Sequence, residues 1–370
     1  MEQLRSALNH ARPKDRQECL SYSARVFFCS ALACSILALP CLAQRSNKPA
    51  VNVSIDTDEA EAVLTVLTKQ RAGQIITDED WRRIFLSEGY VRLKKREVAM
   101  HRSFEDQDFR TFVLSNQLLD QAETLAETLE RWRRADVTRA TRLALAYLPK
   151  GAQINAKIYP VIKPRQNSFV FDLDTDPAIF LYLDPTVNQA KFENTLAHEL
   201  HHVGYGTVCP AKETKEEFKR LSKNVQTVLT YTGAFGEGFA MLAAAGGPDI
   251  HPHAVSDPKD RARWDTNVAN FDADLRLVEE FFLDVLANRV SDHQIGERVA
   301  PFYGEQGAWY TVGWRMAVLI EKTFGRRTLI KTMCDPRKLF VTYNRAAEIH
   351  NRKSGEKLAL WGRSLVEAVK

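Results

Sequence analysis

One run in the chain has the residue types and spacing of a hydrolytic centre: His198-Glu199-Leu200-His201-His202, an HExxH. On an α-helix of 3.6 residues per turn, His198 and His202 stack on one face, so both imidazoles can bind a single zinc with Glu199 beside them as general base. From the His and Glu content, such a run arises by chance in a chain this long with a probability on the order of one per cent. The chemistry would be metal-assisted hydrolysis. Zinc brings the pKa of a bound water towards roughly 7, and Glu199 takes its proton and later hands it to the leaving amine.

A catalytic zinc needs three protein ligands and one open position, so a third ligand must come from elsewhere. The metzincin continuation would put glycine at position 205 and histidine at 208; Tyr205 and Val208 stand there, which excludes that class. Glu213, Glu216, Glu217 and Glu237 are the candidates for a glutamate ligand. Glu216 and Glu217 lie in a Lys-rich stretch with the character of a solvated helix face, whereas Glu237 sits between Gly236 and Gly238 and opens the apolar run Phe239-Ala-Met-Leu242. Glycines there permit close backbone approach to another helix, which favours Glu237. Tyr310, in Tyr310-Thr-Val-Gly-Trp314, is a candidate hydroxyl donor to the oxyanion, with packing in the core as its competing role. His201 falls off the ligand face, and His251, His253 and His293 read as loop or surface residues. Asn194 and Asp184 are candidate partners to orient a ligand imidazole.

HELHH followed by Glu237-Gly-Phe-Ala240 resembles the HExxH plus EGxA pattern of gluzincin-type bacterial peptidases, and the chain resembles the DUF5700 family, a group described as zinc-dependent peptidases. The resemblance implies His198, His202 and Glu237 as ligands of one zinc, Glu199 as base and a peptide or protein substrate. Thermolysin-like enzymes place their glutamate closer than the 35 positions between His202 and Glu237 here.

Around these residues the sequence predicts the elements that must hold them. Ile55 to Lys69 reads as helix, and Thr77-Asp-Glu-Asp80 as a capping box ahead of Trp81, Ile84 and Phe85. Leu114, Leu118, Ala122, Leu125, Leu129 and Trp132 form one stripe on a helix over 112–134. Past Pro149, the runs 156–162, 168–173 and 178–183 are rich in Ile, Val, Phe and Tyr and predict three strands, the last leading into the HExxH helix. Gly204 and Gly206 predict its stop. Helices over 213–231 and about 264–290 and a helical region over 307–370 complete the expected fold: α+β, predominantly helical, zincin-like, with a small antiparallel or mixed sheet on the HExxH helix. The expected organisation is a signal peptide (1–43), an N-terminal helical region (44–150), a catalytic core (151–245) and a C-terminal helical region (246–370).

Hydrophobic residues make up 45% and charged residues 26% of the 370, an ordinary globular balance. The net charge is +4, and residues 1–43 hold five Lys/Arg against three Asp/Glu, which leaves +2 beyond them (46 minus 44). That is too little to argue for nucleic acid. The uncharged run Val26 to Leu39 after Arg25, closed by Cys41-Leu-Ala43, predicts a signal peptide, too short to span a bilayer, and hence export to the periplasm or the medium with no stable membrane insertion after cleavage. Cys19, Cys29, Cys34 and Cys41 would leave with it. Cys209 and Cys334 would remain, able to form one disulfide in an oxidising compartment or to stay as two thiols. The glycine cluster 233–238 follows no strand and there is no Walker A run, so nucleotide binding has little support. A zinc metallopeptidase is the leading expectation. A non-catalytic binding protein and a zinc hydrolase of non-peptide amides or esters are the alternatives.

Overall fold

The computed structural model describes residues 51–370, apart from positions 174 and 305. The expected signal segment with its four cysteines, and the polar stretch Gln44 to Lys48, lie outside the described residues. Strand β1 (Val51–Ile55) is followed by helices α1 (Asp58–Arg71), α2 (Asp78–Leu86), α3 (Glu88–Ala99), α4 (Asp106–Val113), α5 (Asn116–Arg133) and α6 (Val137–Leu145). Strands β2 (Ile154–Val161), β3 (Phe169–Phe171) and β4 (Ala178–Tyr182) then lead into the HExxH helix α7 (Gln189–Val208). Helices α8 (Lys212–Phe218), α9 (Lys223–Thr232), α10 (Gly236–Ala245), α11 (Pro258–Ala269), α12 (Phe271–Leu286), α13 (Asp292–Val299), α14 (Ala308–Phe324), α15 (Arg326–Met333), α16 (Leu339–Lys353) and α17 (Arg363–Ala368) complete it. The fold is α+β and predominantly helical, with one small mixed sheet.

The sheet runs β1-β2-β4-β3, with β1, β2 and β4 parallel and β3 antiparallel to β4. Ile158 of β2 stands in register between Ile55 and Ile179. Interior parallel strands are covered on both faces, and β4 accordingly buries Ala178, Ile179, Phe180 and Leu181. The three expected strands are present. β1 was not expected: its partner lies about a hundred residues away, so its short alternation had no local hairpin to announce it. β4, which feeds the metal helix, is an interior strand, and the edges are β1 and β3.

Capping chemistry explains where the expected helices divide. The capping box at Thr77 and Asp80 forms as the sequence predicts. The stripe over 112–134 is interrupted because the Ser115 side chain accepts the Leu118 amide and starts a new helix, leaving Leu114 exposed at 39%. Ser222 likewise caps α9 and splits the expected helix over 213–231, and the chain turns at Asn270 between α11 and α12. Gly204 and Gly206 do not stop α7, which runs on to Val208 before Cys209 and Pro210. A Cβ on Gly204 would meet Leu148 Cδ1 at 2.4 Å, so the glycine serves close packing in place of termination.

Two large hydrophobic cores and a small third cluster result. The first gathers α1 to α6, one face of β2 and β4 and the inner face of α7; the second gathers α9, α10 and α12 to α17 around Phe235, Phe282, Trp309 and Trp361; the third joins Leu93 of α3 to Tyr159, Val161, Phe169, Phe171, Ala178 and Phe180 of the sheet. Helix α10 lies between the two large cores: Phe239, Leu242 and Ala243 belong to the second core and Ala244 to the first. No helix among the described residues is long and apolar enough to cross a membrane.

Cys209 and Cys334 are joined in a disulfide that spans 125 positions. Beside it the Tyr205 hydroxyl donates to the Met333 carbonyl at 2.7 Å, so the end of α7 is fastened to the end of α15. Closing so long a loop restricts the unfolded chain by up to roughly 5 kcal/mol in the chain-entropy account. Replacing both cysteines by serine is expected to cost about 2–5 kcal/mol and lower the Tm by roughly 5–10 °C. Calorimetry of the oxidised protein and the double variant, with an unchanged Tm counting against the bond, checks this.

Candidate metal centre

Helix α7 is positioned by its apolar face. Phe192, Leu196, Leu200 and Val203 recur at helical spacing and are all buried, each worth roughly 1.5–3 kcal/mol. Phe192 stacks on Trp132 with centroids 4.3 Å apart, and Asn188 caps the helix by accepting the Lys191 amide at 2.8 Å. With that face fixed in the first core, His198 and His202 are turned towards the second.

Helix α10 brings Glu237 to meet them. A Cβ on Gly238 would lie 2.0 Å from the Trp314 nitrogen and 2.4 Å from the Tyr310 carbonyl oxygen. A Cβ on Gly313 would lie 2.6 Å from the Phe235 carbonyl oxygen. The α10 and α14 backbones thus touch through a pair of glycines, a crossing no residue with a side chain would allow. Glu237 sits in the first turn of α10, where the backbone amides favour a carboxylate. Asn194 Nδ2 donates to the Ala244 carbonyl at 3.1 Å and ties α7 to the far end of α10.

Three ligand-type atoms converge. His198 Nε2 and His202 Nε2 are 3.1 Å apart, and Glu237 Oε2 lies 3.1 Å from the first and 3.2 Å from the second. A tetrahedral ion with bonds of about 2.0–2.1 Å holds its ligand atoms about 3.3 Å apart, so the triangle has the size that zinc would set. Two imidazole nitrogens and one carboxylate oxygen are also the donor set of a catalytic zinc with a fourth position free. Among the described residues this is the group of His, Cys, Asp and Glu side chains placed to hold a metal ion.

The electrostatics follow from burial and proximity. Burial pushes the Glu237 carboxyl up, but the two imidazoles outweigh it and hold the group well below the usual range. Burial pulls His202 down, and Glu237 more than reverses this, raising it to about 9. Glu199 is raised by burial and by Glu237 against the opposing pull of both histidines, a direction that suits a proton acceptor working near neutrality.

The other sequence candidates are placed as follows. Glu213 is exposed, Glu216 pairs with Lys219 at 2.7 Å and Glu217 with Arg337 at 2.6 Å, all away from the triangle. The Tyr310 ring lies nearly parallel to that of His198, 15° between planes and 6.4 Å between centroids. His201 is buried edge-on against Phe239 at 4.6 Å, off the ligand face as expected. Asn194 and Asp184 do not orient a ligand imidazole: Asn194 bonds to Ala244, and Asp184 accepts the Thr186 amide in a turn. His293 is exposed, but His253 is not a surface residue. It is 5% exposed because the segment before α11 folds back onto Trp264, whose ring is 5.0 Å away. His251, 20% exposed at its side chain, pairs with Asp265 at 2.9 Å. Gly313 was not anticipated, because within a helical run nothing local marks the backbone it touches.

The family model described as "Putative zinc dependent peptidase (DUF5700)" matches residues 68–352, and the chain belongs to that family. No curated protein and no solved structure matches it.

Two outcomes are expected of this geometry. Gly238→Ala should force α10 and α14 apart, lower stability by several kcal/mol and weaken zinc binding, read by thermal melts and metal titration. In metal-free protein, His202 has a folded pKa above its unfolded value, so its stabilising contribution is complete below about pH 6.5 and fades as pH rises through about 9. Glu237 has a lowered folded pKa, so its contribution is present above about 4.5 and is lost as pH falls through the folded value. Chelator-treated protein should therefore melt highest between about pH 4.5 and 6.5, and a Tm that rises towards pH 9 would contradict the coupling.

Proposed function

We propose that the chain is a zinc metallopeptidase of gluzincin type, exported to the periplasm or medium of a bacterial cell, that hydrolyses peptide bonds in a peptide or protein substrate. The single observation that carries this is the triangle of His198, His202 and Glu237 with Glu199 next to it on α7. A structural zinc site has no use for a base at that position.

His198, His202 and Glu237 would hold the ion. Bound there, zinc supplies Lewis acidity towards the substrate carbonyl and lowers the pKa of water towards roughly 7. Glu199 accepts the proton of the attacking water, aided by the upward push of burial on its carboxyl, and delivers it to the leaving amine. Tyr310, beside His198, offers its phenolic hydroxyl to the oxyanion that develops on the carbonyl oxygen. β3 is an edge strand that touches α7, and its free side suits an extended substrate backbone. The disulfide of Cys209 and Cys334 supports the export reading, since such bonds persist in oxidising compartments.

Purified protein is expected to contain about one zinc. Glu199→Gln should retain that zinc and lose hydrolysis of a fluorogenic peptide library by roughly 10²–10⁴-fold. Tyr310→Phe should keep the metal and KM and lower kcat by roughly 10²–10³-fold. Protein that carries no zinc after growth in zinc-replete medium would overturn the proposal. Esters or non-peptide amides cleaved in place of peptides would favour a different zinc hydrolase, and zinc retained without any hydrolysis would favour a binding protein.

A further inference from the structure

Glu237 can complete the ligand triangle only if α10 stands at the right distance from α7. Asn194 and Ala244 fasten the far end of α10. Near Glu237 the contact is Phe239, two residues further along α10, whose ring meets that of His201 edge-on with centroids 4.6 Å apart. His201 adjoins the ligand His202 on α7, with 6.3 Å between their centroids. Phe239 is fully buried, and in a close-packed interior a ring of that size cannot shift unless its neighbours do. Whatever else fixes Phe239 therefore acts on the metal centre.

A second ring, that of Tyr147, meets Phe239 edge-on with 6.0 Å between centroids. Tyr147 lies in the turn after α6, and its neighbours Ala144 and Leu148 belong to the first core, yet Tyr147 itself is fully buried in the second. It is a peg set across the seam. The Tyr147 hydroxyl donates to Glu321 Oε2 of α14 at 2.9 Å, and Arg326 Nε of α15 donates to Glu321 Oε1 at 2.8 Å. The Arg326 guanidinium also lies over the Tyr147 ring, 4.0 Å from its centroid. Burial and the Glu321 carboxylate both push the phenol up, so the hydroxyl keeps its proton and stays the donor. A ring gripped at its tip by a carboxylate and on its face by a cation is fixed in one orientation.

We propose that Tyr147, held by Glu321 and Arg326, is a positioning residue for the metal centre: it fixes Phe239 against His201 and so keeps Glu237 within reach of His198 and His202. None of the three touches a ligand atom, and their effect passes through the rings of Phe239 and His201. The inference rests on the metal-binding half of the peptidase reading and is independent of hydrolysis.

The test sets Tyr147→Leu beside Tyr343→Leu. Tyr343 is an internal control for lost packing: it is fully buried in the same core, donates its hydroxyl to the Ala359 carbonyl at 2.7 Å and packs on Phe271 at 6.0 Å. Both variants should lose thermal stability, with circular dichroism confirming that they fold. Tyr147→Leu alone should weaken zinc binding by roughly 10–100-fold in competition with a chromophoric chelator, and alone should shift the visible bands of the cobalt-substituted protein, which report ligand geometry. Zinc affinity and cobalt spectrum at the wild-type level in Tyr147→Leu, or an equal loss in Tyr343→Leu, would overturn the proposal and leave the metal centre intact. Should the leucine variant fail to fold, Tyr147→Phe, which keeps the ring and removes only the hydroxyl, should weaken zinc binding by roughly 3–10-fold, and wild-type affinity there would overturn it. If the wild-type protein binds neither metal, the peptidase reading falls and hydrogen exchange of the metal-free proteins decides: faster exchange of the α10 amides in Tyr147→Leu than in Tyr343→Leu sustains the positioning of α10, and equal exchange overturns it.

Discussion

The candidate centre depends on one steric constraint, the contact of α10 and α14 at Gly238 and Gly313. A Cβ at either position would sit well inside the van der Waals envelope of the facing backbone. Because the two helices meet there, Glu237 is held at the depth of the histidines, and Tyr310 is carried to the neighbouring position by the same turn of α14. The ligand triangle is thus a product of backbone proximity, with side-chain rotamers making only the last adjustment. A one-methyl enlargement therefore acts on the centre from a residue that offers it no ligand.

The centre also spans the seam between two cores. His198 and His202 stand on a helix whose inner face belongs to the first, and Glu237 on one whose inner face belongs mostly to the second. Without an ion, the short contacts of Glu237 with both imidazoles give the seam an electrostatic latch, visible as opposite shifts in the carboxylate and His202. With an ion, the same three atoms would each be drawn to one charge, and the two halves would be coupled by coordination.

How much of this was legible in the sequence depends on the range of the interaction. HExxH is a statement about one helical turn, and it was read in full. Glu237 was legible because its flanking glycines signal close approach whatever the partner. The partner was not legible, since Gly313 lies 75 positions away and looks like punctuation inside an ordinary helical run. β1 escaped for the same reason: its hydrogen bonds go to a strand beyond six helices. The misplaced helix ends at Ser115 and Ser222 are a different matter, because hydrophobic periodicity continues smoothly across a break that a single serine creates. Gly204 shows the converse, a residue type associated with helix ends used for packing in mid-helix. His253 lies on a loop, as the sequence suggests, and its burial was not legible because burial of a loop is decided by what it folds onto, here Trp264.

The covalent link between Cys209 and Cys334 turns the intervening segment into a closed ring that contains α10 and α14, and so carries Glu237 and Tyr310, while His198 and His202 stand on the chain just outside it. A single backbone cut anywhere within the ring, including the loop between α10 and α11, would open the ring without releasing a fragment. The severed strands would stay tethered through the disulfide, with the glycine crossing and the core contacts still joining the region that bears Glu237 to the helix that bears Tyr310.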